Sequence, residues 1–236
     1  MFLSVVGVGL FFFGCVDSTT ERIAEIYELK MDPTPENLAT LRELLNEKDR
    51  DLRVTALNSL VTLDVDDAAD LAVAALNDED AFVRATAAKL VGDQEDPALS
   101  GFLARVLRED PDALVRKRAC QALARVGDQT SASALIAALR DPDSQVRLEA
   151  IKGAKAVAPG RGSARLVELL ADDPMWEIRV RAASALGLCG DPAAAEALRA
   201  AVLTDPVEFV RAAAAKALEE YRPDASRPAP PPEEPN

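Results

Sequence analysis

Histidine is absent from all 236 residues. With it go His general bases, Ser-His-Asp and Cys-His nucleophiles and imidazole metal ligands. Aromatic residues make up 4% of a chain that is 49% apolar, so the core must be built from Ala, Leu and Val, which suits closely packed helices. Cysteine occurs three times, at Cys15, Cys120 and Cys189, too few for a disulfide framework and with no CxxC pair for zinc or redox chemistry. Cys120 and Cys189 read as small buried apolar residues. Basic residues are outnumbered 27 to 40, giving a formal net charge of -13 and a pI near 4.6. Nucleic-acid affinity rests on Lys and Arg neutralising phosphates, so no nucleic-acid partner is expected.

The chain opens with MFLSVVGVGLFFFGC, a nearly unbroken apolar run that ends at Cys15. It is long enough for a signal-peptide core and short of the roughly 20 residues that span a bilayer. Its end, with Gly14 before Cys15, resembles the lipobox of bacterial lipoproteins, in which the cysteine is lipidated and becomes the mature amino terminus. Phe12 and Phe13 depart from the usual pattern, and no Lys or Arg precedes the run. The expectation is a lipid anchor on Cys15 and a periplasm-facing place in the cell envelope. The alternatives are an uncleaved apolar anchor or a cytoplasmic protein.

Beyond Cys15 a motif recurs: LRVTALNSL, VRATAAKLV, VRKRACQAL, VRLEAIKGA, IRVRAASAL and VRAAAAKAL. Its arginines, Arg53, Arg84, Arg116, Arg147, Arg179 and Arg211, follow one another at an almost constant interval, the mark of a repeat architecture. Count from the apolar residue before each arginine. Position +4 is then always alanine (Ala56, Ala87, Ala119, Ala150, Ala182, Ala214), and +8 is Leu60, Val91, Leu123, Ala154, Leu186 or Leu218. At about 100° per residue these share one helical stripe, and the alanine implies a close approach of two helices.

Five residues before each motif from the second onward stand Asp78, Asp110, Asp141, Asp173 and Asp205, four of them followed by proline. This predicts an aspartate N-cap with proline at the first helical position. The Asp-x-Asp of DPDSQVR at 141–147 lacks the position-6 glycine of a calcium loop, so no metal is expected there. Further helical segments lie between the motifs, and Gly92, Gly127 and Gly190 are expected to end helices. The unit is helix, turn, helix, six times over. An extra amphipathic helix precedes it, with Ser18 and Glu21 as a capping box and Ile23, Ile26 and Tyr27 on one face. The reading divides the chain into a signal or lipobox segment (1–15), a capping helix (16–34), the repeat array (35–221) and a proline-rich tail (222–236) expected to be disordered.

The LRDPDSQVRLEA pattern at 139–150, its five relatives and the GDP at 190–192 resemble HEAT repeats of the kind first associated with phycobilisome lyases. The resemblance implies an all-α fold, a right-handed α-solenoid of about six HEAT-like helix pairs. First helices would line the convex side and second helices the concave side, with repeats about 10 Å apart. Cys120 and Cys189 would then lie about 20 Å apart, too far for a disulfide. The resemblance also implies that Arg53, Arg84, Arg116, Arg147, Arg179 and Arg211 form a structural ladder with acidic residues of neighbouring repeats.

On the concave helices, positions +2, +3 and +6 carry Lys89, Lys117, Arg118, Gln121, Leu148, Lys152, Val180, Arg181 and Lys216, with Val54 apolar and Glu149 acidic. This face would be basic on an acidic protein. It either receives an acidic or extended segment of a partner protein or merely solvates an alanine-rich helix. Trp176 reads as an interface anchor or as a contact between repeats. The functional expectation is a non-enzymatic protein-interaction scaffold held to a membrane through Cys15, with no cofactor, metal or small-molecule substrate. The alternatives are a lyase-like or chaperone subunit acting on another protein, as in phycobilin lyases, and a nucleic-acid-binding HEAT protein.

Overall fold

The structure, a computed structural model, describes residues 18–222. The lipobox with Cys15 and the expected tail from residue 223 onward lie outside the described residues. Every regular element of the described part is a helix, and the chain divides into two units, one reaching to Val65 and one beginning at Asp66.

The first unit holds α1 (Ser18–Met31), α2 (Pro35–Glu43) and α3 (Arg50–Thr62). Helix α1 packs on α2 and α3. Ile26 joins Leu41, Leu52, Leu57 and Leu60 in the unit's core, each buried to 1% exposure or less. Burying such a side chain contributes about 1.5–3 kcal/mol. Two polar bonds fix α1 in place: Thr19 Oγ1 donates to Asp49 at 2.6 Å and Arg22 to Glu47 at 2.6 Å. Tyr27, expected on the packed face, is exposed instead. The 3.6-residue stripe is narrow here and follows Ile26 alone.

The second unit contains α4 (Ala68–Ala75), α5 (Ala81–Asp93), α6 (Ser100–Glu109), α7 (Ala113–Val126), α8 (Gln129–Ala137), α9 (Ser144–Val157), α10 (Ser163–Asp172), α11 (Trp176–Leu186), α12 (Pro192–Thr204) and α13 (Glu208–Glu220). Each even-numbered helix pairs with the next odd-numbered one, and α5, α7, α9, α11 and α13 stack in sequence. This is an α-solenoid. The +4 alanines from Ala87 to Ala214 are all 0% exposed, and the +8 row is buried except Leu218, which is half-buried. The tightest approach of backbones lies further along. A Cβ on Gly92 would sit 2.4 Å from Ala122 Cβ, and one on Gly187 would sit 2.9 Å from Ala217 O.

Two expectations about helix ends are corrected. The aspartate five residues before each motif is not the N-cap. The cap is the aspartate two residues later, Asp80, Asp112 or Asp143, whose carboxylate accepts from Phe82, Leu114 or Gln145 N–H at 2.8 Å. In the last two repeats Met175 and Val207 hold the cap position without a side-chain bond. The first aspartate forms an Asx turn instead: Asp110, Asp141, Asp173 and Asp205 accept from the N–H two residues on at 2.8–2.9 Å. Proline at the first helical turn belongs to the first helices, as in Pro192 after Asp191. Gly127 does end its helix in the left-handed region (φ 70°), but Gly92 lies inside α5, where the need is the close approach of Ala122 rather than a turn.

Candidate functional site

The repeat arginines set the spacing of the helices that carry the candidate face. Arg84 donates through Nε and Nη2 to both carboxylate oxygens of Asp110 at 2.7 and 3.0 Å. Arg116 grips Asp141 (2.7 and 2.9 Å), Arg147 grips Asp173 (2.8 and 3.2 Å) and Arg179 grips Asp205 (2.8 and 3.2 Å) in the same fork. The third nitrogen, Nη1, turns back to the carbonyls of the arginine's own Asx turn, as Arg116 does to Asp110 and Pro111, both at 3.0 Å. Arg53, in the first unit, makes the same clamp to Glu47 and Lys48 carbonyls at 2.7 and 3.0 Å. The aspartate hydrogen bonds hold the Arg84 and Arg116 guanidiniums above their ordinary pKa, against the opposing effect of burial. Arg22 stands one repeat length before Arg53 and binds Glu47, which occupies the ladder-aspartate position of the first motif. Helix α1 therefore repeats the second-helix pattern. Its equal spacing could have been read from the sequence, but the +4 alanine is Glu25 there, which hides it.

Away from this ladder, the second helices of the second unit expose one stripe. Lys89, Arg118, Lys152, Arg181 and Lys216 are exposed there, while Lys117, Gln121, Leu148 and Val180 are half-buried. The face is less basic than its lysine count implies. Lys89 pairs with Asp93 at 2.7 Å, Lys152 with Glu149 at 2.9 Å and Lys216 with Glu220 at 3.9 Å, each within its own helix. Arg118 bonds the Gln121 amide at 3.0 Å. Among the described residues no carboxylate pairs with Lys117, Arg118 or Arg181. Polar contacts tie neighbouring helices at this surface. Arg125 reaches Asp93 at 3.0 Å, and Lys155 donates to Ser184 at 2.7 Å.

The sequence reading missed the apolar members of the stripe. The residue just before each counted position falls, at about 100° per residue, between +2 and +3 on the same side of the helix. There stand Phe82, Leu114 and Phe209, exposed by 46%, 41% and 69%. Trp176 stacks on Phe209, ring centroids 5.6 Å apart and tilted by 31°. It therefore joins two repeats and remains 39% exposed. The candidate face thus has unpaired cations on α7 and α11, with exposed apolar side chains on α5, α7 and α13. Cys120 and Cys189 are buried, and burial pushes the Cys120 thiol up. Among the described residues no helix is long and apolar enough to cross a membrane.

The family described as HEAT repeats matches residues 100–174 and 163–229, more than half of the chain. The chain belongs to the HEAT-repeat family. Among solved structures, YibA of E. coli aligns with a TM-score of 0.58 at 20% identity, covering 87% of this chain and 77% of that one. A designed armadillo repeat protein in complex with the peptide (KR)4 aligns at 0.51 and 18% identity, covering 85% and 99%. The CpcE–CpcF complex of phycocyanin lyase from Nostoc sp. aligns at 0.40 and 24% identity, covering 79% and 87%. The first two likenesses concern the fold alone. No curated protein matches the chain.

Proposed function

We propose that this HEAT-repeat protein is a non-enzymatic scaffold that binds an extended, acidic segment of a partner protein along its second helices. The observation that carries the reading is the stripe itself. Lys117, Arg118 and Arg181 have no carboxylate of their own among the described residues, and exposed Phe82, Leu114 and the Trp176–Phe209 pair lie on the same series of helices. Unpaired cations steer an acidic segment on approach, and apolar side chains supply the contact area that holds it. A designed repeat protein of similar fold was solved with a (KR)4 peptide. Here the unpaired charge has the opposite sign to what such a peptide would need, so the segment favoured is rich in Asp and Glu.

The test is a fluorescent Glu-rich peptide carrying aromatic residues, titrated into the full-length protein. Reversal of Lys117, Arg118 and Arg181 to Glu is expected to weaken binding at least about tenfold while leaving helicity unchanged. Raising the salt from about 0.05 M to about 0.3 M should weaken wild-type binding as well. Equal binding by both proteins contradicts the reading.

The proposal includes lipid attachment at Cys15 and a place in the cell envelope. Its support is the Gly14-Cys15 pair closing an apolar run of signal-peptide length. Intact-mass analysis of the mature amino terminus, for wild type and Cys15→Ser, checks it: an acylated Cys15 lost in the variant supports the anchor. A soluble wild type beginning elsewhere removes it.

A further inference from the structure

Among the described residues the arginine ladder ends at Arg211. Arg211 on α13 keeps the clamp to its own turn, donating Nη1 to the carbonyls of Asp205 and Pro206 at 2.8 and 3.2 Å, as Arg147 does to Asp141 and Pro142 at 3.0 and 3.1 Å. That clamp fixes the orientation of the guanidinium plane. In the four preceding repeats the edge bearing Nε and Nη2 then receives the two oxygens of an aspartate. Among the described residues no carboxylate pairs with Arg211.

The surface around this edge is built as an interior. Position +5 is Ala88, Cys120, Ile151 and Ala183 in α5 to α11, none more than 1% exposed, because the next repeat covers it. In α13 the same position is Ala215, which is half-exposed, as is Leu218 at +8, where Leu123 and Leu186 are fully buried. Small residues there let another helix approach closely. The guanidinium fork defines the chemistry of whatever arrives: a planar carboxylate at the start of a helix.

A second copy of this chain does not fit. Where a twofold axis passes through this face, Arg211 would meet Arg211. Of the ladder aspartates of a copy, Asp110, Asp141, Asp173 and Asp205 are already held by its own arginines, and Asp78 has a partner as well. We propose that the outer side of α13 is a docking surface for a helical-repeat segment of a different chain, which presents an aspartate from an Asp-Pro turn to Arg211. This surface is separate from the stripe of Lys117, Arg118 and Arg181 and stands or falls independently of it.

The probe is a labelled peptide spanning positions 191–222, a helix pair carrying Asp205-Pro206, added to the full-length protein and followed by fluorescence anisotropy. Wild type is expected to bind it. Arg211→Gln in the protein, or Asp205→Asn in the probe, should each weaken binding about tenfold to a hundredfold, the range for a charge-assisted pair. Arg108→Ala, at an exposed contact on α6, should leave it unchanged. A second measurement does not require the isolated peptide to fold. The same segment is inserted directly after Arg222, which places the new aspartate as far beyond Arg211 as Asp110 lies beyond Arg84, Asp173 beyond Arg147 and Asp205 beyond Arg179. The urea midpoint should rise, and Asp→Asn at that new position should cancel the gain. The proposal is overturned if probe binding ignores both substitutions, or if the inserted repeat gives no gain that depends on its aspartate. A wild-type dimer that Arg211→Gln converts to a monomer would overturn it too, since a second copy would then occupy the face.

Discussion

Arg116 on α7 holds Asp141, at the turn before α9, through Nε and Nη2 at 2.7 and 2.9 Å, with the two side chains only 11% and 7% exposed. The same carboxylate caps the N–H of Asp143, and the same guanidinium caps the carbonyls of Asp110 and Pro111. One pair therefore closes two turns and joins two repeats.

Removing one member of such a pair leaves the other desolvated and uncompensated. Arg116→Ala is expected to cost about 3–5 kcal/mol. Arg108→Ala, which breaks the exposed Arg108–Glu109 contact, should cost less than about 1 kcal/mol. Because repeats are stabilised mainly by their neighbours, the Arg116 defect should open locally. Hydrogen exchange should show lost protection concentrated in α7 and α9, and uniform loss along the second unit would contradict this.

Asp205 also shapes the response to acid. Burial alone would raise the Asp205 carboxyl, but the Arg179 bond, the Val207 N–H and the charges of Arg179 and Arg211 outweigh it and hold the group below its ordinary range. A carboxyl lowered in the folded state contributes stability above its unfolded pKa, near about 3.9, and loses it as pH falls through the folded value. Urea midpoints should therefore drop as pH goes below about 4. Asp205→Asn should give a lower midpoint at neutral pH and a flatter acid limb, and an unchanged limb would contradict the assignment.

Two glycines in helices predict opposite signs. A Cβ at Gly92 would lie 2.4 Å from Ala122 Cβ and 2.6 Å from its Cα, so Gly92→Ala must push α5 and α7 apart. That should cost about 1–3 kcal/mol. At Gly101 nothing lies within 4 Å, and Gly101→Ala should stabilise by about 0.4–1 kcal/mol by restricting the unfolded chain. Thermal midpoints moving in the same direction for both would rule out the packing account.

The repeat itself was legible because it rests on an arginine returning at an almost constant interval and on a helical stripe, signals that survive without any contact information. Cap assignment failed for a physical reason. Asp141 and Asp143 each cap an N–H two residues on, and only the arginine from the previous repeat distinguishes the ladder residue from the N-cap. Gly92 looked like a terminator because glycine before Asp commonly ends a helix, whereas its role depends on Ala122, which belongs to the next second helix. The candidate face was half legible. Helical periodicity placed Lys117, Arg118 and Arg181 on the surface. The pairing of Lys89 with Asp93 and Lys152 with Glu149 depends on rotamers that periodicity leaves open. Phe82 and Leu114 escaped notice because they precede the counted motif, although they share its solvent side.

The most direct measurement captures partners from native membranes and soluble extract with full-length wild type and with the Lys117→Glu, Arg118→Glu, Arg181→Glu variant, quantified by mass spectrometry after confirming equal helicity. The account predicts one or a few proteins with acidic extended segments, enriched by wild type and lost in the variant. The same proteins captured equally by both would contradict binding through the second-helix face.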